Sequence, residues 1–270
     1  LNTNRANQAD HKMAFLDIQN ITLTFRSIAT LVNVGFQVQK GQIASLIGPN
    51  GAGKTSMLNC ISGRYHPNEG SIRLDGKSIL SLKADKRSSL GLARTFQNIA
   101  LFKGLSVLDN LMVGRHNLMK YGMLASMFYL GRARREEDRH RKKIEAVIDF
   151  LGLSPYRHKH AGELPYGVQK RVELGRALAA EPKLVLLDEP MAGMNLEETE
   201  DMARYILDIN EEWGVTVLLV EHDMGVVMDI SDHVVVLDFG SILAAGNPET
   251  VQQDKDVIAA YLGNDDSFLN

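Results

Sequence analysis

The chain has 270 residues, 44% hydrophobic and 23% charged, with 30 Lys and Arg against 33 Asp and Glu for a net charge of −3. That length supports a sizeable core in one large or two small lobes, and the balanced charge argues against a nucleic-acid partner. Cys60 is the only cysteine and no apolar run approaches the roughly 18 to 20 residues of a membrane span, which excludes a disulfide framework and predicts a cytoplasmic protein.

Residues 1–12, "LNTNRANQADHK", offer no periodic apolar face and read as a disordered leader. "FLDIQNITLTF" (15–25), "LVNVGFQVQKG" (31–41) and "GSIRLDG" (70–76) alternate with period two, which predicts antiparallel strands. Among them, "GQIASLIG" (41–48) reads as a short apolar strand and "SMLNCISG" (56–63) as a helix stopped by Gly63. Joining the two is Gly48, Pro49, Asn50, Gly51, Ala52, Gly53, Lys54, Thr55 and Ser56, which matches the G-x-x-x-x-G-K-[ST] phosphate-binding loop. Bare Cα atoms let such a loop turn its N–H groups inward around a polyphosphate. Lys54 would reach the β- and γ-phosphates, Thr55 would ligate Mg²⁺ through its hydroxyl, and the positive end of the following helix would face the anion. A nucleoside triphosphate is the ligand this predicts.

Further along, the charge run "RARREEDRHRKK" (132–143) reads as a solvated face. It leads into Ile144, Val147, Ile148 and Leu151, spaced as one face of a helix that ends at Gly152. "KLVLLDEP" (183–190), "VTVLLVEH" (215–222) and "HVVVLDF" (233–239) are continuously apolar and predict buried parallel strands. A helix over 195–214 is opened by Asn195 with Glu198 three residues on, a capping box, and closed by Gly214. Asp188 ends an apolar strand, where an acid can hold Mg²⁺ beside a phosphate loop, and Glu189 follows in position to take a proton from an attacking water.

The ordered set GPNGAGKT (48–55), TFQN (95–98), LPYGVQKRVELGRALA (164–179), LVLLDEP (184–190) and EHD (221–223) resembles the ATP-binding subunit of an ABC transporter. The resemblance runs from about 15 to 263. It is nearest to the ATPase subunits of branched-chain amino-acid importers through "ARTFQNIALFKGLSVLDNLMVG", the helical insertion after Gly114, "EHDMGVVMDISDHVVVLDFG" and "VIAAYLG". It implies an α/β P-loop NTPase core with a mainly parallel sheet, an N-terminal antiparallel β subdomain and an inserted helical subdomain. The expected division is a core over 13–97 and 181–250, an insertion over about 98–180, a C-terminal helix over about 251–263 and a tail over 264–270. It also implies ATP and Mg²⁺ as cofactors, with Gln97 sensing the metal and the attacking water, His222 contacting the γ-phosphate and Phe25 stacking on adenine. Pro165, Tyr166, Gly167 and Val168 would form a signature facing the ATP of a second ATPase subunit docked head to tail. Integral-membrane permease subunits and, indirectly, an extracytoplasmic solute-binding protein are the further expected partners, with the chain peripheral on the inner membrane face.

Two departures stand out. Family members commonly read L-S-G-G-Q where this chain has Leu164, Pro165, Tyr166, Gly167 and Val168, and proline supplies neither hydroxyl nor N–H to a phosphate. Asn195 stands where an acid is usual; it can cap a helix but carries no charge. A GTPase would need an N-K-x-D segment, and a chromosome-organising ATPase would need a long coiled coil between loop and signature; neither is present. A non-transport ABC ATPase acting as a regulatory or assembly partner is the remaining rival. Branched-chain amino acids, aromatic acids, amides and urea-like molecules all stay open as cargo.

Overall fold

The computed structural model describes residues 14–118 and 132–262. β1 (Leu16–Phe25), β2 (Ile28–Val38), β4 (Glu69–Leu74) and β5 (Lys77–Ser78) form an antiparallel sheet in the order β2-β1-β4-β5. Leu16 and Ile18 pair with Val38 and Phe36 on one side and with Leu74 and Ile72 on the other, all of them buried. The period-two alternation thus turns one face of the sheet inward.

The second sheet contains β3 (Ile43–Ile47), β6 (Leu92–Arg94), β7 (Leu184–Asp188), β8 (Thr216–Val220), β9 (His233–Asp238) and β10 (Ser241–Gly246), in the order β10-β9-β3-β8-β7-β6. All its ladders are parallel except β10 on β9. Every residue of β3, β7 and β8 is buried, which is why these strands read as unbroken apolar runs. Along β7 the faces still alternate: Leu184 and Leu186 meet helix α1 (Lys54–Ser62) and the antiparallel sheet. Val185 and Leu187 meet α3 (Val107–Gly114), α4 (Arg132–Phe150), α5 (Tyr166–Leu178) and α6 (Leu196–Glu211) on the other side. A third cluster packs Ile47, Val234 and Val236 under α7 (Met224–Ile230), α8 (Pro248–Gln252) and α9 (Lys255–Leu262). The C-terminal helix expected over 251–263 is therefore two helices. The side chain of Asp254 accepts from the amides of Asp256 and Val257, starting α9 afresh.

The expectation of a solvated charge run needs correcting at one position. Asp138, Arg139, Arg141, Lys142 and Lys143 are exposed, but His140 is buried, its Nδ1 2.8 Å from the Arg115 Nε that donates to it. His140 lies one helical turn before Ile144 and continues the buried stripe. The side chains of 132–137 lie outside the described residues.

α1 connects both sheets and has a polar requirement at each end. Gly53, at φ 104°, starts it with no side-chain cap. At the other end the guanidinium of Arg87, from α2 (Ala84–Ser89), is fully buried and donates to the carbonyls of Cys60 at 2.6 Å and Ile61 at 2.7 Å, and to those of Leu80 and Leu82. A cation thus neutralises the negative end of the helix and leaves the positive end for a ligand. Arg87→Ala strands four carbonyls, and we expect it to lower unfolding free energy by about 2–4 kcal/mol in urea titrations. A loss under about 0.5 kcal/mol, the range of an ordinary surface change, would remove Arg87 from this role.

Candidate functional site

The loop between β3 and α1 is shaped by close approaches. Gly48 has φ 143°, and a Cβ there would collide with the carbonyl oxygen of Leu237. Gly53 would place a Cβ 2.8 Å from Leu31 Cδ2 and 2.9 Å from the Thr30 oxygen. Both glycines are demanded by neighbouring backbone as well as by the turn. Pro49 is half-buried, Asn50, Gly51 and Thr55 are exposed, Ala52 is buried, and Gly53 and Ser56 are intermediate. Helix α1 therefore presents uncapped first-turn amides at the surface, a ready anion site. Lys54 is buried and folded over the loop, its Nζ donating to Gly48 O at 2.6 Å and Pro49 O at 3.0 Å. Burial pushes its pKa below the usual lysine value, opposed by the charges of Glu189 and Asp188. At the loop's entry the phenol of Tyr261, from α9, hydrogen-bonds the main chain of Gly48, and burial pushes its pKa up.

Asp188 closes β7 next to this loop. Its Oδ2 accepts from Arg94 Nη2 at 2.8 Å, while Oδ1 is buried with no partner. Arg94 Nη1 also donates to Asn59 Oδ1 and Ser62 Oγ, each at 2.8 Å, tying β6 to α1. An orphaned buried carboxylate oxygen sharing a cleft with the Thr55 hydroxyl fits a hard divalent cation. Among the described residues there is no group of three or more His, Cys, Asp or Glu that could hold a metal.

Glu189 adopts φ 51°, a left-handed backbone rare outside glycine, and its N–H donates to Val220 O at 2.9 Å. Both its carboxylate oxygens are engaged: Gln97 Nε2 donates to Oε2 at 2.8 Å, and His222 Nε2 lies 2.6 Å from Oε1. The fold thus brings together three residues that stand far apart in the chain. Behind them Glu221 accepts from the amides of Met191 at 2.7 Å and His222 at 3.1 Å, its pKa raised by burial and lowered by those bonds. Sequence reasoning gave no role to Arg94 or Glu221, although Arg94 directly precedes TFQN and Glu221 opens EHD.

Phe25 ends β1, 44% exposed, with its ring edge-on to Tyr65 at 5.0 Å. It stands on the same hairpin whose Thr30 and Leu31 crowd Gly53. In the signature, Pro165 precedes the first residue of α5 and provides no side-chain cap. Tyr166 is exposed and its hydroxyl donates to Ala192 O at 3.2 Å. Val168 is buried in the core. Gly167 leaves room for Glu198, onto whose carboxylate a Cβ would intrude. Asn195 caps α6, with the full capping box to Glu198 that the sequence predicts.

A cleft of 930 Å³ runs from Thr55 and Asp188 past Arg94, Gln97 and Phe96 to Val113 and Arg176. No helix among the described residues is long and apolar enough to cross a membrane.

The family model described as "ABC transporter" matches residues 31–192, and one described as "Branched-chain amino acid ATP-binding cassette transporter" matches 241–267. The high-affinity branched-chain amino acid transport ATP-binding protein BraF of Pseudomonas aeruginosa is 41% identical over 92% of this chain and 97% of its own. A crystal structure of an ABC transporter's ATP-binding cassette in its ADP conformation superposes with TM-score 0.81 at 33% identity, covering 93% of this chain and all 100% of that one. A dimeric cassette bound to ADP and Pi superposes with TM-score 0.73 at 26% identity, over 86% and 98%. Motif order, loop geometry and family match agree, and the chain belongs to the ABC transporter family.

Proposed function

We propose that the chain binds and hydrolyses ATP as the energising subunit of an importer for branched-chain or related amino acids, peripheral on the inner membrane face. The observation that carries this is Glu189, held by Gln97 and His222 on its two oxygens beside an Asp188 with one oxygen unpartnered. The cargo rests on the names of the relatives and the C-terminal family match. In this reading Lys54 leaves the Gly48 and Pro49 carbonyls for the β- and γ-phosphates, and the α1 amides take the phosphate oxygens between them. Thr55, Asp188 and Gln97 would hold Mg²⁺, which when bound neutralises charge on the phosphate oxygens. His222 and Gln97 then release the carboxylate of Glu189, which accepts a proton from water as that water attacks the γ-phosphorus; the bond from that phosphorus to the β–γ bridging oxygen breaks, and ADP leaves with the bridging oxygen and its electron pair. Phe25 provides a flat ring for adenine.

The cleft beside Gln97, with exposed Phe96 and Val113 on its walls, is the docking place for a permease segment in this proposal, where the core meets an inserted unit spanning about 98–180. A second ATPase subunit closes over the nucleotide, and a solute-binding protein acts through the permeases. The test is reconstitution of the complex recovered through this chain into liposomes and measurement of ATP-driven leucine uptake. Recovery of the active chain without membrane proteins would favour the regulatory alternative. In the same preparation Lys54→Ala should weaken ATP binding about 10-fold or more while leaving adenosine binding within about 2-fold, since the lost contact is to phosphate. Equal loss for both ligands would make Lys54 structural.

A further inference from the structure

The residues that follow the signature loop reach the hydrolytic centre of the same chain. Lys170, Glu173 and Arg176 recur every third position along α5 and so share one face. Lys170 is buried, and its Nζ donates to the carbonyls of Gln97 and Glu189, each at 3.2 Å. Glu173, equally buried, accepts through Oε1 from the amides of Phe96 at 3.3 Å and Ala100 at 3.4 Å. Arg176 lies 3.9 Å from that carboxylate and donates to the Ala100 carbonyl. Every one of these bonds to the 96–100 segment and to Glu189 is to main chain, which leaves the side chain of Gln97 for Glu189 and that of Glu189 for Gln97 and His222.

We infer that Lys170 and Glu173 are positioning residues that hold the Gln97 loop and the strained Glu189 backbone in register with the signature helix. The proposal rests on the ATPase reading above. Two features support it. Burying two charges is costly, and the fold accepts that cost where ordinary helix residues would face solvent. Moreover, Glu189 at φ 51° is held at its N–H by Val220 and at its carbonyl by Lys170, so a sparsely populated conformation is fixed from both ends. Lys170 also stands 5.8 Å from the ring centroid of Tyr166, whose hydroxyl grips Ala192. Movement of the signature loop on a partner's nucleotide thereby reaches Glu189 through one side chain.

The test uses the complex recovered through this chain and compares Lys170→Met, Glu173→Ala and Glu173→Gln. Gln keeps an acceptor for the Phe96 and Ala100 amides and Ala does not. Misplacing a catalytic group by about 1 Å costs on the order of 10²-fold, so Lys170→Met and Glu173→Ala should lower kcat roughly 10- to 100-fold with KM for ATP within about 2-fold. Glu173→Gln should recover most of that loss. If Lys170→Met does not fold, the Glu173 pair decides alone. Unchanged kcat per folded molecule in Glu173→Ala, a KM that rises in step with the loss, or no recovery in Glu173→Gln would overturn the inference. Two controls separate the levels: no ATP hydrolysis by the unmodified complex sinks the ATPase reading itself, whereas a dead Glu189→Gln beside a normal Glu173→Ala sinks only the positioning role.

Discussion

Glu189→Gln is expected to leave ATP binding nearly intact and to lower turnover by roughly 10²-fold or more, the scale of a lost general base. The substitution suits the site. Glutamine has the same length, still offers an oxygen to Gln97 Nε2, and tolerates φ 51° no worse than glutamate does. What disappears is the charge, which bears on more than the water. Burial lowers the pKa of both Lys54 and Lys170, and Glu189 and Asp188 are the two carboxylates whose charges oppose that shift at both lysines. With Asp188 retained, Lys54 keeps a counter-charge and the phosphate loop keeps its cation, so a binding defect is not expected. Single-turnover measurement with bound ATP separates hydrolysis from product release. Normal turnover in the variant would remove Glu189 from the base role, and loss of ATP binding would show that its charge serves the phosphate loop instead.

The phosphate loop, the β7 acids and the apolar strands were legible in the sequence because each is a local pattern with one physical reading. Three glycines in six positions need a special backbone, and an unbroken apolar run of strand length needs two covered faces. Asn195 and Glu198 were legible as a capping box for the same reason, since the bonds close within three residues. Lys170, Glu173 and Arg94 were not. In isolation "VQKRVELGR" is an amphipathic helix whose charges belong in water, and only the packing of α5 against the 96–100 segment buries two of them. Likewise Arg87 sits in a polar stretch with no periodicity, and its role as the cation under α1 depends on a contact 26 residues away in the chain. β6, of three residues, was too short for any pattern, and β10 lies at the sheet edge half-exposed. Gly167 enters the sequence reading only as part of the signature; the reason for a glycine there in this chain is the carboxylate of Glu198, onto which a Cβ would intrude.

Hydrolysis in the assembled transporter is expected to be asymmetric, concentrated at the site that uses Lys54 and Glu189 of this chain. This follows from the proposal that two cassettes dock head to tail, each ATP lying between one chain's phosphate loop and the other's signature. The phosphate-loop side here is complete, with Lys54 in place and Glu189, Gln97 and His222 assembled. The signature side is not. Pro165 has no hydroxyl or N–H to give, and Val168 is buried among core residues, so neither side chain offers a donor to a partner's phosphate. What α5 can still present is the exposed ring of Tyr166 and the main-chain amides of its first turn, but Tyr166 already spends its hydroxyl on Ala192. Losing one charge-assisted contact to phosphate is worth about 1.5 to 3 kcal/mol, or roughly 10- to 150-fold in closure. A homodimer would carry that loss at both sites. Paired with a cassette that keeps L-S-G-G-Q, this chain's own ATP is clamped fully and only the partner's ATP suffers. The measurement is to join the chain with a partner ATPase that keeps L-S-G-G-Q on shared membrane subunits and disable each catalytic glutamate in turn. Glu189→Gln should remove nearly all hydrolysis, and the equivalent change in the partner only a small part. Equal losses, or a homodimer of this chain that already turns over at the rate of the full complex, would mean that the Tyr166 and Gly167 amides rebuild the phosphate contact without the serine.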